Sequence, residues 1–130
     1  MGSNSGEKSQ ANRNEVYFLD LKNRTISQPM GRDLPSPKNY KFVQIEVVKA
    51  VNPKLHPVRF EVHYETADRE KILLGTFSLF PADNPGKFIV STQGKLKGNG
   101  SLILSLVLPE NIDENDTLQV SVMKIKLNEN

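Results

Sequence analysis

The stretch that decides the fold is residues 58–66, which read Val-Arg-Phe-Glu-Val-His-Tyr-Glu-Thr. Apolar and polar side chains alternate along it: Val58, Phe60, Val62 and Tyr64 alternate with Arg59, Glu61, His63 and Glu65. A period of two places one set on each face of an extended strand, whereas a helix would scatter both sets around its circumference. This stretch therefore predicts a β-strand with one buried face and one solvated face.

Strands are predicted on both sides of this stretch, because short apolar and β-branched segments alternate with turn-forming ones. The predicted strands are residues 42–51, 72–80, 88–92, 102–108 and 118–127, and the densest turn signal is residues 81–86, Pro-Ala-Asp-Asn-Pro-Gly. No helix-length periodic segment competes, which argues against parallel strands joined by helices. We therefore predict an all-β fold, an antiparallel β-sandwich of about six or seven strands, immunoglobulin-like or jelly-roll-like.

The chain divides into a polar lead and a sandwich domain. Residues 1–39 are expected to be largely a disordered tag or linker, because residues 1–14 are polar and residues 22–39 contain Pro29, Gly31, Pro35 and Pro37. A candidate strand lies at residues 15–21 within this lead. Residues 40–127 are predicted to form the β-sandwich, and we expect the native chain to extend beyond this piece.

Composition excludes several classes of protein. A chain of 130 residues is long enough for one compact core. Its 17 basic and 15 acidic side chains are interspersed and give a net charge of +2. The sequence therefore lacks the basic stripe that is typical of nucleic-acid-binding proteins, and no nucleic-acid partner is expected. No apolar run reaches the roughly 18 residues of a membrane helix, so no membrane partner is expected. The absence of cysteine excludes disulfides, zinc–thiolate sites and a thiol nucleophile.

Few residues suit catalysis or metal binding. His56 and His63 are the only histidines, and a catalytic zinc or copper site uses two or three histidines or carboxylates in their place. Asp113, Glu114 and Asp116 lack the spacing and glycine of a calcium loop. We therefore assign no catalytic, cofactor-binding or metal-binding residue, expect no cofactor, and predict that the chain is not an enzyme. Most aromatic side chains are expected in the core.

Three segments carry a resemblance to a known family. Residues 58–64, through Arg59, Phe60, Glu61 and Val62, are similar to the Lys-Phe-Asp-Val strand in the C-terminal domain of polyphenol oxidases (tyrosinases). Residues 74–81 resemble that family's Gly-Ser-Phe strand, and the residues that match it are Gly75, Thr76 and Phe77. Residues 117–122 resemble the closing strand. The similarity covers residues 41–127.

This resemblance implies a function. The chain would be a non-enzymatic C-terminal shielding or regulatory domain that covers the active site of a separate dicopper catalytic domain, encoded in the same chain or operon. It would keep that enzyme latent, and its location would be secreted or the plastid lumen. No residue that would occlude the copper site is carried over from the family.

Two other functions stay open on the sequence. One is an extracellular binding or adhesion module, because such modules share the sandwich architecture without sharing sequence. The other is a small hydrolase with carboxylates on its loops.

Overall fold

The computed structural model describes residues 16–30, 40–97 and 99–128, and these form nine β-strands and no helix. The expected disorder of residues 1–14 lies outside the described residues. In chain order the strands are β1 (Val16–Asp20), β2 (Thr25–Pro29), β3 (Phe42–Val51), β4 (Arg59–Glu65), β5 (Lys71–Ser78), β6 (Gly86–Ser91), β7 (Ser101–Val107), β8 (Gln119–Met123) and β9 (Lys126–Asn128).

The strands form two antiparallel sheets. One has the order β1-β8-β3-β6, with β9 also pairing with β3, and the other has the order β2-β7-β4-β5. Among these strands, β4 and β5 are the only consecutive pair bonded to each other; most connections cross between the sheets. Two interleaved four-strand orders of this kind define a jelly roll. The predicted all-β sandwich is thus confirmed, and of its two variants the structure has the jelly roll.

The alternation in β4 produces the core as predicted. Phe60, Val62 and Tyr64 are completely buried, and the polar residues between them lie on the outer face. β4 pairs with β5 on one side and with β7 on the other, so it is a central strand. The rings of Phe60 and Phe77 stack at 4.9 Å between centroids, and those of Phe77 and Phe88 stack at 4.2 Å. This stack joins the two sheets along their β5–β6 side.

One predicted boundary is wrong: the sandwich does not begin at residue 40. β1 and β2 are integral strands of the two sheets, and β2 lies within the segment interpreted as a linker. Pro29 is tolerated because it is the last residue of β2, an edge strand, where a missing N–H breaks no interior ladder. Ile26 is the buried residue of this short strand.

The segment 118–127 divides into two strands instead of forming one. Val122 pairs with Val47, and Lys126 pairs with Gln44. Between these two pairs the segment advances by four residues while β3 advances by three, so the segment contains one extra residue. At this break the backbone N–H of Ile125 donates to the Gln28 side chain at 2.8 Å, and Ile125 is buried. The interruption therefore adds a side-chain bond between the two sheets.

Two glycines with positive φ provide a test of the β6–β7 loop. A Cβ added at Gly100, where φ is +84°, would overlap the backbone carbonyl oxygen of Glu65, whereas a Cβ at Gly94, where φ is +68°, would meet nothing. We expect Gly94→Ala to lower the free energy of unfolding by about 1–2 kcal/mol through backbone strain alone. Gly100→Ala should cost about 1–3 kcal/mol more, because a backbone atom cannot move aside as a side chain can. Urea denaturation measures both, and equal losses would contradict the described β6–β7 loop.

Candidate functional site

Four loops meet at one end of the sandwich. The antiparallel registers place the end of β1 beside the start of β8, the start of β4 beside the ends of β5 and β7, and the end of β3 beside the start of β8. The β1–β2, β3–β4, β5–β6 and β7–β8 loops therefore share this end. We call it the loop end.

An open groove of about 550 Å³ lies at the loop end, and we call it the end groove. The β3–β4 loop, the β5–β6 loop and the end of β7 supply its apolar lining, which includes Leu55, Pro57, Leu79, Phe80, Leu108 and Pro109. Phe80 is 85% exposed and Leu55 is 53% exposed. Arg59 and Ser78 are the polar members of the lining. A surface that exposes apolar side chains around a concave centre is typical of a binding site.

Leu55 is held in a strained conformation. Its φ of 51° lies in the left-handed region, which a bulky non-glycine residue rarely adopts. Such strain persists only where surrounding contacts impose it, and it is concentrated at functional sites. The strained backbone presents a large apolar side chain to solvent instead of burying it.

The contacts that impose this conformation come from Asn52, which is only 3% exposed. Its side-chain amide donates to the carbonyl oxygens of His56 at 2.9 Å and Ala82 at 3.1 Å. Its side-chain oxygen accepts the backbone N–H of His56 at 3.1 Å, and its own carbonyl accepts from Leu55 at 2.9 Å. One buried side chain thus joins the β3–β4 loop to the β5–β6 loop beneath the end groove.

Asp116 joins the third loop to the same assembly. One carboxylate oxygen bonds Lys54 Nζ at 2.6 Å, and the other lies 2.8 Å from His56 Nε2. The Asp116 side chain is only 7% exposed, and the bonds to Lys54 and His56 hold the pKa of its carboxyl below the usual 3.8. The hydrogen bond between Lys54 and Asp116 also raises the pKa of Lys54. The β7–β8 loop is therefore fixed to the residues on both sides of Leu55.

Most of the residues that match the family lie opposite one another where β4 pairs with β5. Phe60 pairs with Phe77, Glu61 with Thr76, and Val62 with Gly75, so the first two matched segments are adjacent strands of one sheet. Phe60 and Val62 face the core and are completely buried there. Arg59 differs from these in lining the end groove.

The histidines do not meet. His56 bonds Asp116, while His63 lies on the outer face of β4 between Leu73 and Ile103 of the neighbouring strands. Across the described ranges no group of three or more His, Asp or Glu side chains is placed to hold a metal ion.

Three carboxylates lie around one cleft at the loop end. Asp20, Glu114 and Asp116 line a second cleft of about 340 Å³. Asp20 accepts the backbone N–H groups of Lys22 and Asn23 at 2.9 and 2.8 Å, a local turn contact. A general acid needs a raised pKa, whereas the pKa of Asp116 is lowered.

Sequence reasoning missed the residues that shape the loop end. The aromatic residues were expected mostly in the core, yet Phe80 and Phe18 are exposed. The available signal for Phe80 was its position directly before the turn sequence that begins at Pro81. Asn52 stands directly before Pro53, as a turn residue commonly does, and nothing local marks its bond to a residue 30 positions away.

Comparison of the chain with protein-family models, with curated proteins and with solved structures found no match. Within the part of the chain that the structure describes, no helix is long and apolar enough to cross a membrane.

The contacts of Asp116 predict a specific pH dependence of stability. The pKa of Asp116 is lower in the folded state than in the unfolded state. Its contribution to the free energy of unfolding is therefore fully present above pH 3.8 and is lost as the pH falls through the folded-state pKa. Asp116→Asn should therefore be less stable than the parent chain at neutral pH, and the difference should shrink as the pH falls below 3.8.

Glu114→Gln is the matched control, because it removes the same charge from the same loop without removing either bond. Its pH profile should follow that of the parent chain. Chemical denaturation at a series of pH values measures all three proteins. A difference between Asp116→Asn and the parent chain that stays constant through acid pH would contradict the described contacts.

Proposed function

We propose that this chain is a non-enzymatic shielding domain of a polyphenol-oxidase-like protein, which packs its loop end over the active-site entrance of a separate dicopper catalytic domain. The observation that carries the proposal is Phe80, whose aromatic side chain is 85% exposed at the rim of the end groove. Burying a Phe side chain contributes about 1.5–3 kcal/mol, so a partner surface that covers it gains appreciable binding energy.

The rigidity of the loop end supports a docking role. Asn52 and Asp116 bond across three loops, so Leu55 and Phe80 are held in place before any partner arrives. A surface that is already ordered loses less conformational entropy on binding than a flexible one does. A shielding domain needs this property, because it must cover an entrance in one orientation.

The family resemblance converges on the same surface. The first matched segment enters β4 through Val58 and Arg59, and the second leaves β5 through Leu79 and Phe80. All four of these residues line the end groove. The first two of the matched segments therefore also form the exposed site, which favours an interface there over one on the outer face of either sheet.

The test uses the dicopper catalytic domain encoded with this chain, in the same reading frame or operon. Adding the chain to that domain should inhibit catechol oxidation in a saturable manner. Phe80→Asp should raise the concentration needed for half inhibition by about ten-fold or more, as expected for an aromatic anchor at the centre of an interface.

Ile89→Asp is the matched control, because Ile89 is also an exposed apolar residue, 55% exposed, but lies on β6 away from the end groove. It should inhibit as well as the parent chain, and thermal unfolding should show both variants folded. The proposal fails if the parent chain does not bind the catalytic domain, or if the two variants inhibit equally.

An adhesion module is the second candidate, favoured by the location of Phe80 and Leu55 in one loop cluster. An adhesion module would bind a surface glycan or protein through that cluster and leave catechol oxidation unchanged. A glycan array probed with the parent chain and with Phe80→Asp separates the two functions: a glycan signal lost in the variant, without inhibition of the oxidase, identifies the module.

A further inference from the structure

The end groove combines an apolar lining with one charged residue. Among the described residues that line it, Arg59 alone carries a charge, and the others are apolar except Ser78. The groove volume of about 550 Å³ falls within the usual range of ligand pockets and fits a few residues of a chain. Leu55 and Phe80 stand exposed beside this volume and can cover the residues on either side of such a segment.

Arg59 has the weakest ion pair of the cations near the loop end. Its Nη2 lies 3.3 Å from Glu61 Oε2, with the two side chains 52% and 30% exposed. By contrast, Lys54 and His56 both bond the nearly buried Asp116, at 2.6 and 2.8 Å. An exposed pair with one long contact contributes little, so another carboxylate can replace Glu61 without much loss.

We propose that the end groove binds an extended apolar peptide segment that carries a carboxylate, with the carboxylate paired to Arg59. A guanidinium group matches a carboxylate through two parallel hydrogen bonds, a geometry that the contact with Glu61 does not supply. The apolar residues of the segment occupy the groove between Leu55 and Phe80. The charge of Arg59 makes the groove selective for an acidic segment over a neutral one of the same shape.

In naming a partner, this inference rests on the proposed function: the segment would belong to the catalytic domain, beside its active-site entrance. The chemistry of the groove stands on the residues that line it. The experiment therefore uses peptides alone.

The probes are two peptides that differ in one charge, acetyl-Leu-Asp-Phe-Leu-amide and acetyl-Leu-Asn-Phe-Leu-amide. Each is titrated into the ¹⁵N-labelled chain, and the dissociation constant is taken from the shifted backbone resonances. The aspartate peptide should bind at least about five-fold more tightly, because a charge-assisted hydrogen bond is stronger than a neutral one. The shifted resonances should be those of the end groove, and added salt should reduce the preference.

Arg59→Gln should abolish the preference for the aspartate peptide. Lys71→Gln is the matched control, because it removes one positive charge from an exposed residue at the far end of β5, and it should keep the preference. The inference is overturned if the parent chain binds the two peptides equally or not at all, if the shifts lie elsewhere, or if the preference survives Arg59→Gln.

The two proposals fail separately. Selective peptide binding without inhibition of the dicopper domain would refute the shielding function and leave the groove inference intact. Inhibition that depends on Phe80, without selectivity for the aspartate peptide, would do the reverse.

Discussion

The inner face of β4 must be covered by the opposite sheet, because Phe60, Val62 and Tyr64 form an apolar row that water would otherwise contact. β4 is paired on both edges, so it is a central strand and its inner face points towards the opposite sheet. The hydroxyl of Tyr64 is the one polar group in the row, and it donates to the carbonyl of Asn99 at 2.7 Å. This bond satisfies the polar tip of a side chain that is otherwise surrounded by the core.

The loop end depends on that arrangement. Because β4 is antiparallel to both β5 and β7, its first residue lies beside the last residues of its neighbours, and their loops are brought together. Asn52 and Asp116 then need only short side chains to join loops that are far apart in sequence. The core therefore sets the position of the loops, and two buried polar side chains set their shape. Exposed residues such as Phe80 contribute to neither, so their chemistry can serve contact with another molecule.

The sequence predicts the parts of this structure that have a local cause. The bounds of β3 and the faces of β4 follow from alternation within each strand, which is a property of neighbouring residues. β2 was missed because Ile26 is its one buried residue and Pro29, Pro35 and Pro37 follow, so neither composition nor period distinguishes it from a loop. The hydrogen bonds of Asn52 and Asp116 join residues that are far apart in sequence and that only the fold brings close. Phe80 shows the same limit, since its exposure depends on where β5 ends and not on its own residue type.

The two edges of the β2-β7-β4-β5 sheet have a consequence for how the molecule can associate. The edge strand β5 carries an extra residue, Leu74, where its register with β4 shifts, and the edge strand β2 ends at Pro29, which has no N–H to donate. Both features disfavour continuing the β2-β7-β4-β5 sheet with a strand from another molecule, which is how β proteins commonly aggregate. Self-association by extension of this sheet is thus discouraged, while the apolar side chains of the loop end stay exposed for other contacts.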